Sequence, residues 1–363
     1  MNDFPVPLQI LDKSSQLGKL FKNHNLTLGD FKILVGENRG PLMLDMDMIG
    51  HLIVSGWAQS GKETILDAMI QSIMLQYKPE EARLILFDAQ ADLSQYSESN
   101  PYLLTDVIHD WDKVISALKW TLGEMQERYK QLRIAGFRNF YEYNMKASEK
   151  KPRIVFFIKT VDEAMSFAPG EVENNIIQII EKGRNVGIHL VIVTNKISKA
   201  NIPPELLSQL PNRIICQTTS EGDSITAGAP GAHTLTTEQF YLLLHQEKPV
   251  KFPKVLINKQ DILNIKNYLK KVAPKVSYTQ ETASTLTRVD KYTVNGGEND
   301  VYFNQAVEII MQQDKASASL LQRRLSIGYA RAARLLDQLE AAGYLGPAEG
   351  AAPRQVIRRA EVK

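Results

Sequence analysis

The sequence predicts a mainly parallel α/β domain followed by a small domain of three helices and a hairpin. In the middle of the chain, short apolar runs rich in β-branched residues alternate with helical patterns, which is typical of buried parallel strands. Near the carboxyl end, three amphipathic segments precede a glycine-rich turn, an arrangement typical of a winged helix-turn-helix. The length of 363 residues agrees with two or three domains.

The predicted elements follow one another in the order of this fold. A long helix is predicted over residues 111–135, because apolar residues recur at helical spacing until Gly136. A polar, Thr- and Ser-rich stretch over residues 272–300 is interpreted as a linker. The predicted strands cover residues 51–55, 83–88, 153–158, 189–194 and 213–217. In the tail, helices are predicted from Phe303, over 317–325 and over 329–342, and a hairpin from Gly343.

The composition excludes several classes of protein. With 44% hydrophobic and 23% charged residues, the chain can form a packed core. The single cysteine, Cys216, excludes an internal disulfide framework, and the six histidines lack the spacing of a zinc site. The longest apolar runs, 154–158 and 190–193, are far shorter than the roughly 20 residues of a membrane-spanning helix. We therefore expect a soluble, cytoplasmic chain with no membrane segment.

Charge is distributed unevenly along the chain. The formal net charge is +2. From Lys315 onwards there are nine basic and four acidic residues, so this part carries +5 and the rest of the chain carries −3. A basic carboxyl-terminal domain on a mildly acidic body predicts a polyanionic partner for that domain alone.

A phosphate-binding loop is predicted between the first strand and the next helix. The segment Gly56-Trp-Ala-Gln-Ser-Gly61-Lys62 has the spacing of a G-x4-G-K motif in its proper context, after a strand and before a helix. Backbone N–H groups and the helix N-terminus hold phosphate oxygens, and Lys62 reaches the terminal phosphates. We therefore predict that ATP binds at Gly56, Gly61, Lys62, Glu63 and Thr64. An ordinary glycine-containing turn is the alternative.

The groups that would hold Mg²⁺ are replaced. The residue after the motif lysine should carry a hydroxyl group for the metal, yet it is Glu63. Thr64 comes one residue too late to point the same way. The strand over 154–158 should end in an Asp-Glu pair, but Lys159 and Thr160 follow it. We therefore expect Mg²⁺ to be held poorly, and the catalytic residues stay unassigned.

Two further hypotheses concern these replacements. In a shifted register, the strand continues through Val161, and Asp162 and Glu163 supply the missing acids. Independently, Glu63 and Lys159 could form an ion pair where the metal would sit, with their charged groups no more than about 6 Å apart. The alternative is that both side chains are solvated.

Longer motifs occur in a fixed order along both predicted domains. On these motifs, residues 41–252 resemble the motor domain of FtsK/SpoIIIE-type double-stranded DNA translocases, and the tail resembles the winged-helix gamma domain of that family. The motifs are Leu-Ile-Leu-Phe-Asp at 84–88, Tyr-Leu-Leu-Thr-Asp-Val at 102–107, Glu-Arg-Tyr-Lys at 127–130, Gly-Phe-Arg-Asn at 136–139, Gly-Ile-His-Leu-Val-Ile-Val-Thr at 187–194 and Ile-Gly-Tyr-Ala-Arg-Ala-Ala-Arg-Leu-Leu-Asp at 327–337.

The resemblance implies a RecA-like P-loop NTPase domain and a hexameric ring that moves duplex DNA with ATP, in chromosome partition. It also implies the domain boundaries, which are 1–50 for an N-terminal segment with part of the alpha subdomain, 51–271 for the motor, 272–300 for the linker and 301–363 for the gamma domain.

Several positions of nucleotide chemistry depart from this family. The family's Asp-Pro-Lys is Asp88-Ala-Gln here, and its Thr-Gln-Arg-Pro is Thr194-Asn-Lys-Ile. Positions that support the fold persist, which is the pattern expected of a non-hydrolysing relative. Arg184 matches a family arginine that could reach the phosphates of a neighbouring subunit, and an ordinary surface arginine is the alternative.

The tail contains a candidate DNA-reading helix over residues 329–342. We expect Arg334 to contact guanine and Asp337 to accept a hydrogen bond from cytosine in a major groove. A winged helix that contacts protein instead is the alternative. Contacts with DNA phosphates are expected from Arg323, Arg324, Arg331 and Arg354.

The sequence therefore favours a duplex-DNA-binding member of this family with a degenerate ATP site. Such a pseudo-ATPase would act as a regulatory, anchoring or scaffold subunit in a homo- or hetero-oligomeric ring. Two alternatives stay open. One is an active ATP-driven translocase in which Asp88, Asp162 or Glu163 recruits the ion, and the other is a protein-interaction platform that does not bind DNA.

Overall fold

The chain forms two compact units. They consist of Met1–Ala164 with Glu171–Val289, and of Met165–Gly170 with Asp290–Lys363. All but the first residue of the predicted linker lies outside the described residues, and the predicted domain boundaries stay predictions. The computed structural model describes residues 5–23, 31–97, 100–148, 150–168, 170–199, 201–245, 247–272, 302–313, 315–325, 329–347 and 353–357.

The described chain up to residue 272 contains strands and α-helices in mixed order. The strands are β1 (Lys32–Glu37), β2 (Pro41–Asp45), β3 (Leu52–Ser55), β4 (Ala82–Phe87), β5 (Arg153–Ile158), β6 (Ile188–Thr194), β7 (Arg213–Ile215), β8 (Gln239–Leu243) and β9 (Val250–Pro253). The helices are α1 (Gln16–Asn23), α2 (Met46–Ile49), α3 (Lys62–Gln76), α4 (Trp111–Ala135), α5 (Phe140–Lys146), α6 (Val161–Phe167), α7 (Glu171–Lys182), α8 (Pro204–Ser208), α9 (Glu221–Thr226) and α10 (Lys259–Val272).

A seven-stranded sheet forms the centre of the first unit, in the order β4-β5-β6-β3-β7-β8-β9. The five strands predicted from apolar runs are the parallel members of this sheet, which confirms the predicted fold class. Every residue of β3 and β6 is buried, as expected for parallel strands covered on both faces. Strands β8 and β9 extend one side antiparallel, and the sequence analysis did not predict them.

The topology brings several polar loops to one edge of the sheet. Strands β3, β4, β5 and β6 are parallel, so their carboxyl ends meet there. The loops that follow them contain Gly56, Asp88, Lys159 and Asn195. Ligands of open α/β sheets bind in the crevice outside the carboxyl ends of the strands. The candidate site therefore lies at this edge.

The residues before β3 pack into the same hydrophobic core as the sheet. Strands β1 and β2 form an antiparallel hairpin whose register shifts between Leu34 and Gly36. Phe31 and Ile33 are fully buried in this core. A Cβ at Gly36 would lie 2.7 Å from the ring of Phe240, so a glycine lets β1 approach β8 closely.

Helix α4 has the bounds that the apolar spacing predicts. It ends at Gly136, whose φ of +74° takes the chain out of the helix and whose N–H bonds the carbonyls of Leu132 and Arg133. Its apolar face includes the buried residues Val114 and Leu118. Among the described residues, neither α4 nor any other helix has the length and apolar character needed to cross a membrane.

The second unit contains three helices and a short antiparallel pair of strands. Strand β10 (Lys315–Ala316) pairs with strand β11 (Arg354–Gln355), and an isolated bridge joins Leu345 to Val356. The three predicted helices are confirmed, while the tip of the predicted hairpin at 348–352 lies outside the described residues. The elements are α11 (Phe303–Met311), β10 (Lys315–Ala316), α12 (Ala318–Leu325), α13 (Tyr329–Ala341) and β11 (Arg354–Gln355). They share a core that includes Ile310, Leu321, Leu335 and Leu339.

Candidate nucleotide-binding site

The phosphate loop joins the carboxyl end of β3 to the start of α3. The N–H of Gly56 donates to the carbonyl of Thr194 (3.3 Å), and the N–H of Trp57 donates to the carbonyl of Gln217 (3.1 Å). These bonds fix the loop to the ends of two neighbouring strands. Gly61 has a φ of +75° just before α3, and a Cβ there would lie 2.5 Å from the carbonyl oxygen of Thr237. Backbone conformation and space therefore both require this glycine.

Lys62 is buried, and its ammonium group is held at the loop. Its Nζ donates to the carbonyl of Trp57 (3.2 Å) and lies 3.2 Å from Oε1 of Glu63. The Glu63 side chain is 38% exposed, so its carboxylate can turn into solvent. Glu63, which stands at the position where the motif would place a hydroxyl group for the metal, is thus the partner of Lys62.

A second lysine, which the sequence analysis missed, also contacts the loop. Lys254 follows β9 and is buried, and its Nζ donates to the carbonyls of Ser60 (2.5 Å) and Thr237 (2.7 Å). Burial lowers the pKa of its ammonium group, because the charged form loses its hydration. Lys254 therefore fixes the carbonyl of Ser60, from a position 194 residues away in sequence. No local motif indicates such a contact.

Lys159 follows β5, where the ATPase motif would place an acid. Its side chain is 2% exposed, its Nζ contacts a carboxylate oxygen of Asp92, and it lies 3.5 Å from Oδ1 of Asp88. The strand register explains this arrangement. Phe87 of β4 pairs with Ile158 of β5, so the next residues, Asp88 and Lys159, are neighbours.

The predicted ion pair between Glu63 and Lys159 is wrong. In the structure Glu63 pairs with Lys62, which precedes it in the sequence, and Lys159 pairs with Asp88 and Asp92. Each charged group has a nearer partner than the one predicted. An internal ion pair does lie at this edge of the sheet, but it joins Lys159 to Asp88 and Asp92 and does not include Glu63.

The shifted register of β5 is also wrong. The strand ends at Ile158, and α6 already begins at Val161. Between them Thr160 has a φ of +55°, which breaks the extended conformation. Asp162 and Glu163 therefore lie in the first turn of a helix and do not end a strand.

Two of the three carboxylates that could replace the missing acids already accept other hydrogen bonds. Both oxygens of Asp88 accept backbone N–H groups from the loop that follows it, at 2.7 and 3.1 Å. Asp162 accepts hydrogen bonds from the hydroxyl of Thr194 (3.2 Å) and the amide of Asn201 (3.3 Å). Glu163 is exposed, and partial burial together with Asp162 raises the pKa of its carboxyl group.

These residues do not fit a Mg²⁺ site. Mg²⁺ demands near-ideal octahedral coordination by oxygen, which this class of loop provides with a hydroxyl group and a free carboxylate. Here the two positions hold a lysine-paired carboxylate, Glu63, and a buried ammonium group, Lys159. Thr64 is rotated by about 100° from Glu63 on α3. The described part of the chain has no group of three acidic, histidine or cysteine side chains placed to hold a metal ion.

A cleft of about 350 Å³ opens at this edge of the sheet. This volume is within the range of small-molecule sites. The side chains that line it include Lys62, Glu63, Asp67, Asp92, Lys159 and Asn195. The two buried lysines, Lys62 of the phosphate loop and Lys159 just after β5, therefore line the same cleft.

Asp67 of α3 is a further acid of the cleft that the sequence analysis missed. It accepts hydrogen bonds from the hydroxyl of Tyr96 (2.7 Å) and the amide of Gln95 (3.1 Å). Burial, with a smaller contribution from the charge of Glu63, raises the pKa of Asp67 to about 6, although these hydrogen bonds oppose the shift. The available signal was its position four residues after Glu63, on the same face of the helix.

Arg184, the predicted trans-acting arginine, lies just before β6. Its Nε donates to the carbonyl of Asp47 (2.8 Å), and its side chain packs beside Gly50. Both of these residues precede β3, so Arg184 lies at the amino ends of the parallel strands. The phosphate loop lies at the opposite edge. Contact with the phosphates of a neighbouring subunit stays a prediction.

The predicted DNA contacts lie on two helices and a strand of the second unit. Arg323 and Arg324 are exposed near the end of α12. Arg331 and Arg334 belong to α13, and their side chains lie outside the described residues. The base-reading assignment of Arg334 therefore stays a prediction.

Arg354 and Asp337, for which separate DNA contacts are predicted, form an ion pair with each other. The guanidinium group of Arg354 donates to Oδ1 of Asp337 (2.5 Å) and to Oε2 of Glu340 (2.8 Å). The sequence predicts a DNA-phosphate contact for Arg354 and a cytosine contact for Asp337. Arg354 would have to leave these carboxylates to bind a DNA phosphate with the same N–H groups, whereas Asp337, which is 66% exposed, keeps its second oxygen for a base.

Comparison with known sequences identifies the family. A sequence model described as "FtsK/SpoIIIE family" matches residues 21–200, and one described as "Ftsk gamma domain" matches residues 297–359. The chain belongs to the FtsK/SpoIIIE family. This confirms the resemblance drawn from the motifs and the winged-helix assignment of the second unit.

Relatives in this family are longer than the chain. The DNA translocase FtsK of Halalkalibacterium halodurans is 31% identical over 350 residues, which are 93% of this chain and 43% of that protein. The DNA translocase FtsK of Caldanaerobacter subterraneus subsp. tengcongensis is 32% identical over 320 residues, 87% of this chain and 45% of that protein. The chain thus spans less than half the length of these relatives.

Solved structures share the fold of the family's ATPase domain. The conjugation coupling protein TcpA of pCW3, with ATPγS, has a TM-score of 0.58 at 21% identity and covers 68% of this chain and 71% of its own. EssC (ATPases 2 and 3) from Geobacillus thermodenitrificans has a TM-score of 0.59 at 17% identity and covers 70% of this chain and 51% of its own. They confirm the P-loop ATPase fold predicted for the α/β part of the FtsK/SpoIIIE chain.

Proposed function

We propose that this chain is a double-stranded-DNA-binding protein whose phosphate loop binds ATP and whose hydrolysis is weak or absent. We assign it to DNA translocation or chromosome segregation in the cytoplasm, as a regulatory or scaffold subunit of an oligomeric ring. The observation that carries the proposal is buried Lys159, paired with Asp88 and Asp92, at the place of a metal-binding acid.

Weak hydrolysis follows from what phosphoryl transfer requires. A metal ion that bridges the terminal phosphates stabilises the charge of the transition state, and a second group orients the attacking water. A water-orienting or basic group contributes about 10²–10⁴-fold to the rate. Lys159 and Thr160 supply neither group. We therefore expect turnover far below that of an intact site.

Binding of ATP is supported by the donors around the cleft. The first N–H groups of α3 have no partner within the helix and suit phosphate oxygens. Lys62 lies at the same point, and the cleft of about 350 Å³ has room for a ligand. Fixation of the loop by Lys254 keeps these donors in place.

Binding of duplex DNA is supported by the net charge of +5 from Lys315 onwards and by the gamma-domain match of residues 297–359. Arg323 and Arg324 are exposed on α12, where they can neutralise phosphates. Affinity should then fall steeply with salt, because each neutralised phosphate releases condensed counterions.

Phosphate release with and without duplex DNA tests the proposal. We expect near-background turnover by a chain that binds ATP and binds duplex in a salt-sensitive way, and Lys62→Ala should lose the nucleotide. A combined Glu63→Ser, Lys159→Asp and Thr160→Glu variant should gain turnover if only the metal-side groups have been lost.

The same measurements separate the alternatives. DNA-stimulated phosphate release by the unmodified chain would identify an active translocase and overturn the proposal. Absence of both duplex binding and turnover would identify a protein-interaction platform.

A further inference from the structure

The two buried lysines of the cleft are paired in the same manner. The side chains of Lys62 and Lys159 are 3% and 2% exposed, and each contacts a carboxylate that solvent reaches. These carboxylates belong to Glu63 and to Asp92, which is 57% exposed. Because solvent reaches the carboxylate side of each pair, each carboxylate can leave its lysine when a stronger anion arrives.

The second partner of Lys159 is different, because it stays in place. Asp88 is fully buried, and both of its oxygens accept backbone hydrogen bonds. It therefore keeps the Lys159 ammonium group at the wall of the cleft whether or not Asp92 is in contact. The result is an ammonium group of fixed position, paired with one buried carboxylate, among the residues that line the cleft with Lys62.

A bound triphosphate needs positive charge beyond that of the phosphate loop. In working sites of this fold Mg²⁺ provides it, held by the two groups that are replaced here. Lys159 stands at one of those two positions, and a metal ion placed beside its ammonium group would be repelled by a like charge. Lys159 thus places an ammonium group where the ion would lie, and this like charge disfavours the ion.

We propose that this cleft binds a nucleoside triphosphate without a divalent metal ion, with Lys159 supplying the counter-charge. The inference rests on the proposed ATP binding and adds the form in which ATP is bound. On binding, phosphate oxygens replace Glu63 at Lys62 and Asp92 at Lys159, while Asp88 continues to hold Lys159.

The test measures binding of a fluorescent ATP analogue to the full chain, with excess EDTA or with excess MgCl₂. We expect binding in EDTA to be at least as tight as binding in MgCl₂. Asp92→Asn should tighten binding in EDTA by about 5-fold, because it frees Lys159 from an exposed partner. Asp110→Asn is the matched control, since Asp110 forms an exposed pair with Lys113 on another part of the unit, and it should leave binding unchanged.

Removal of the lysine gives an independent measurement. Lys159→Met alone leaves Asp88 charged and buried, so the variant to use is Lys159→Met combined with Asp88→Asn, with its folding checked by circular dichroism. We expect affinity in EDTA to fall by about 10–100-fold, the usual effect of losing a hydrogen bond to a charged group.

The outcomes distinguish this inference from the proposed function. Binding that appears only with MgCl₂ overturns metal-free binding and leaves the proposed ATP binding intact. Absence of binding in both solutions overturns both. A folded Lys159→Met, Asp88→Asn protein that binds as tightly as the unmodified chain in EDTA also overturns the inference.

Discussion

Lys159→Met tests how strongly the first unit depends on the buried ion pair at the end of β5. The Lys159 and Asp88 side chains are 2% and 0% exposed, and their charged atoms lie 3.5 Å apart. At an effective dielectric constant near 20, opposite charges at this distance attract by about 5 kcal/mol. Breaking such a pair from one side leaves a buried charge without its partner. We therefore expect the free energy of unfolding to fall by about 3–5 kcal/mol.

The two aspartates should contribute very unequally to this effect. Asp92 is mostly exposed, so Asp92→Asn should change the free energy of unfolding by only about 0–1 kcal/mol. Combining Lys159→Met with Asp88→Asn removes both buried charges. The double variant should be more stable than Lys159→Met alone, because no unpaired buried charge remains.

Urea unfolding followed by tryptophan fluorescence measures these differences. The three tryptophans of the chain, Trp57, Trp111 and Trp120, all lie in the first unit and report on it. Lys113→Met is the control, an exposed lysine whose loss should cost less than about 0.5 kcal/mol. A cost below about 1 kcal/mol for Lys159→Met, or a double variant less stable than it, would refute the reasoning.

Three further predictions concern other groups. The pKa of Asp67 is about 6 in the folded state, above its ordinary value of 3.8. The folded state therefore loses stability as the pH rises between these two values. Asp67→Asn should raise the free energy of unfolding at pH 7.5 by up to about 3 kcal/mol and should leave it unchanged at pH below about 4. Gly61→Ala should destabilise more than Gly136→Ala in urea unfolding, because both glycines have φ near +75° but only Gly61 has no space for a Cβ. If Arg354 exchanges its carboxylate partners for a DNA phosphate, Arg354→Ala should lower the salt slope of duplex binding by about 1, and an unchanged slope would show that it does not.

The elements that were predictable are those with a strong local pattern. The five parallel strands appear in the sequence as continuous apolar runs because both of their faces are buried. Helix α4 was predictable to the residue because its apolar period ends at a glycine. Strand β9 was missed because it is mostly exposed and lacks such a run, whereas β8 does contain an apolar run, at residues 240–243, and was overlooked.

Among the candidate site residues, too, those in a local motif were predictable and those placed by distant contacts were not. The phosphate loop is a local motif, and the sequence locates it at the correct strand end. Lys254 reaches the loop only through the folding of a distant strand, so nothing near it in sequence marks it. The partner of Lys159 could have been predicted from the adjacency of β4 and β5, because both strands end one residue before the paired groups. Glu63 was predicted as the partner because of its position in the motif, although the adjacency of β4 and β5 favours Asp88.

In the nucleotide cleft and on the predicted DNA-binding face, basic side chains are paired with carboxylates that solvent can reach. A single monovalent anion that displaces one of these carboxylates gains one ion pair and breaks another, so it binds poorly. An anion with several linked charges replaces several carboxylates while losing translational freedom only once. These surfaces should therefore select a triphosphate or a duplex backbone over dissolved salt anions, and this selectivity does not require a metal ion. The pairs are Lys62–Glu63, Lys159–Asp92 and Arg354–Asp337.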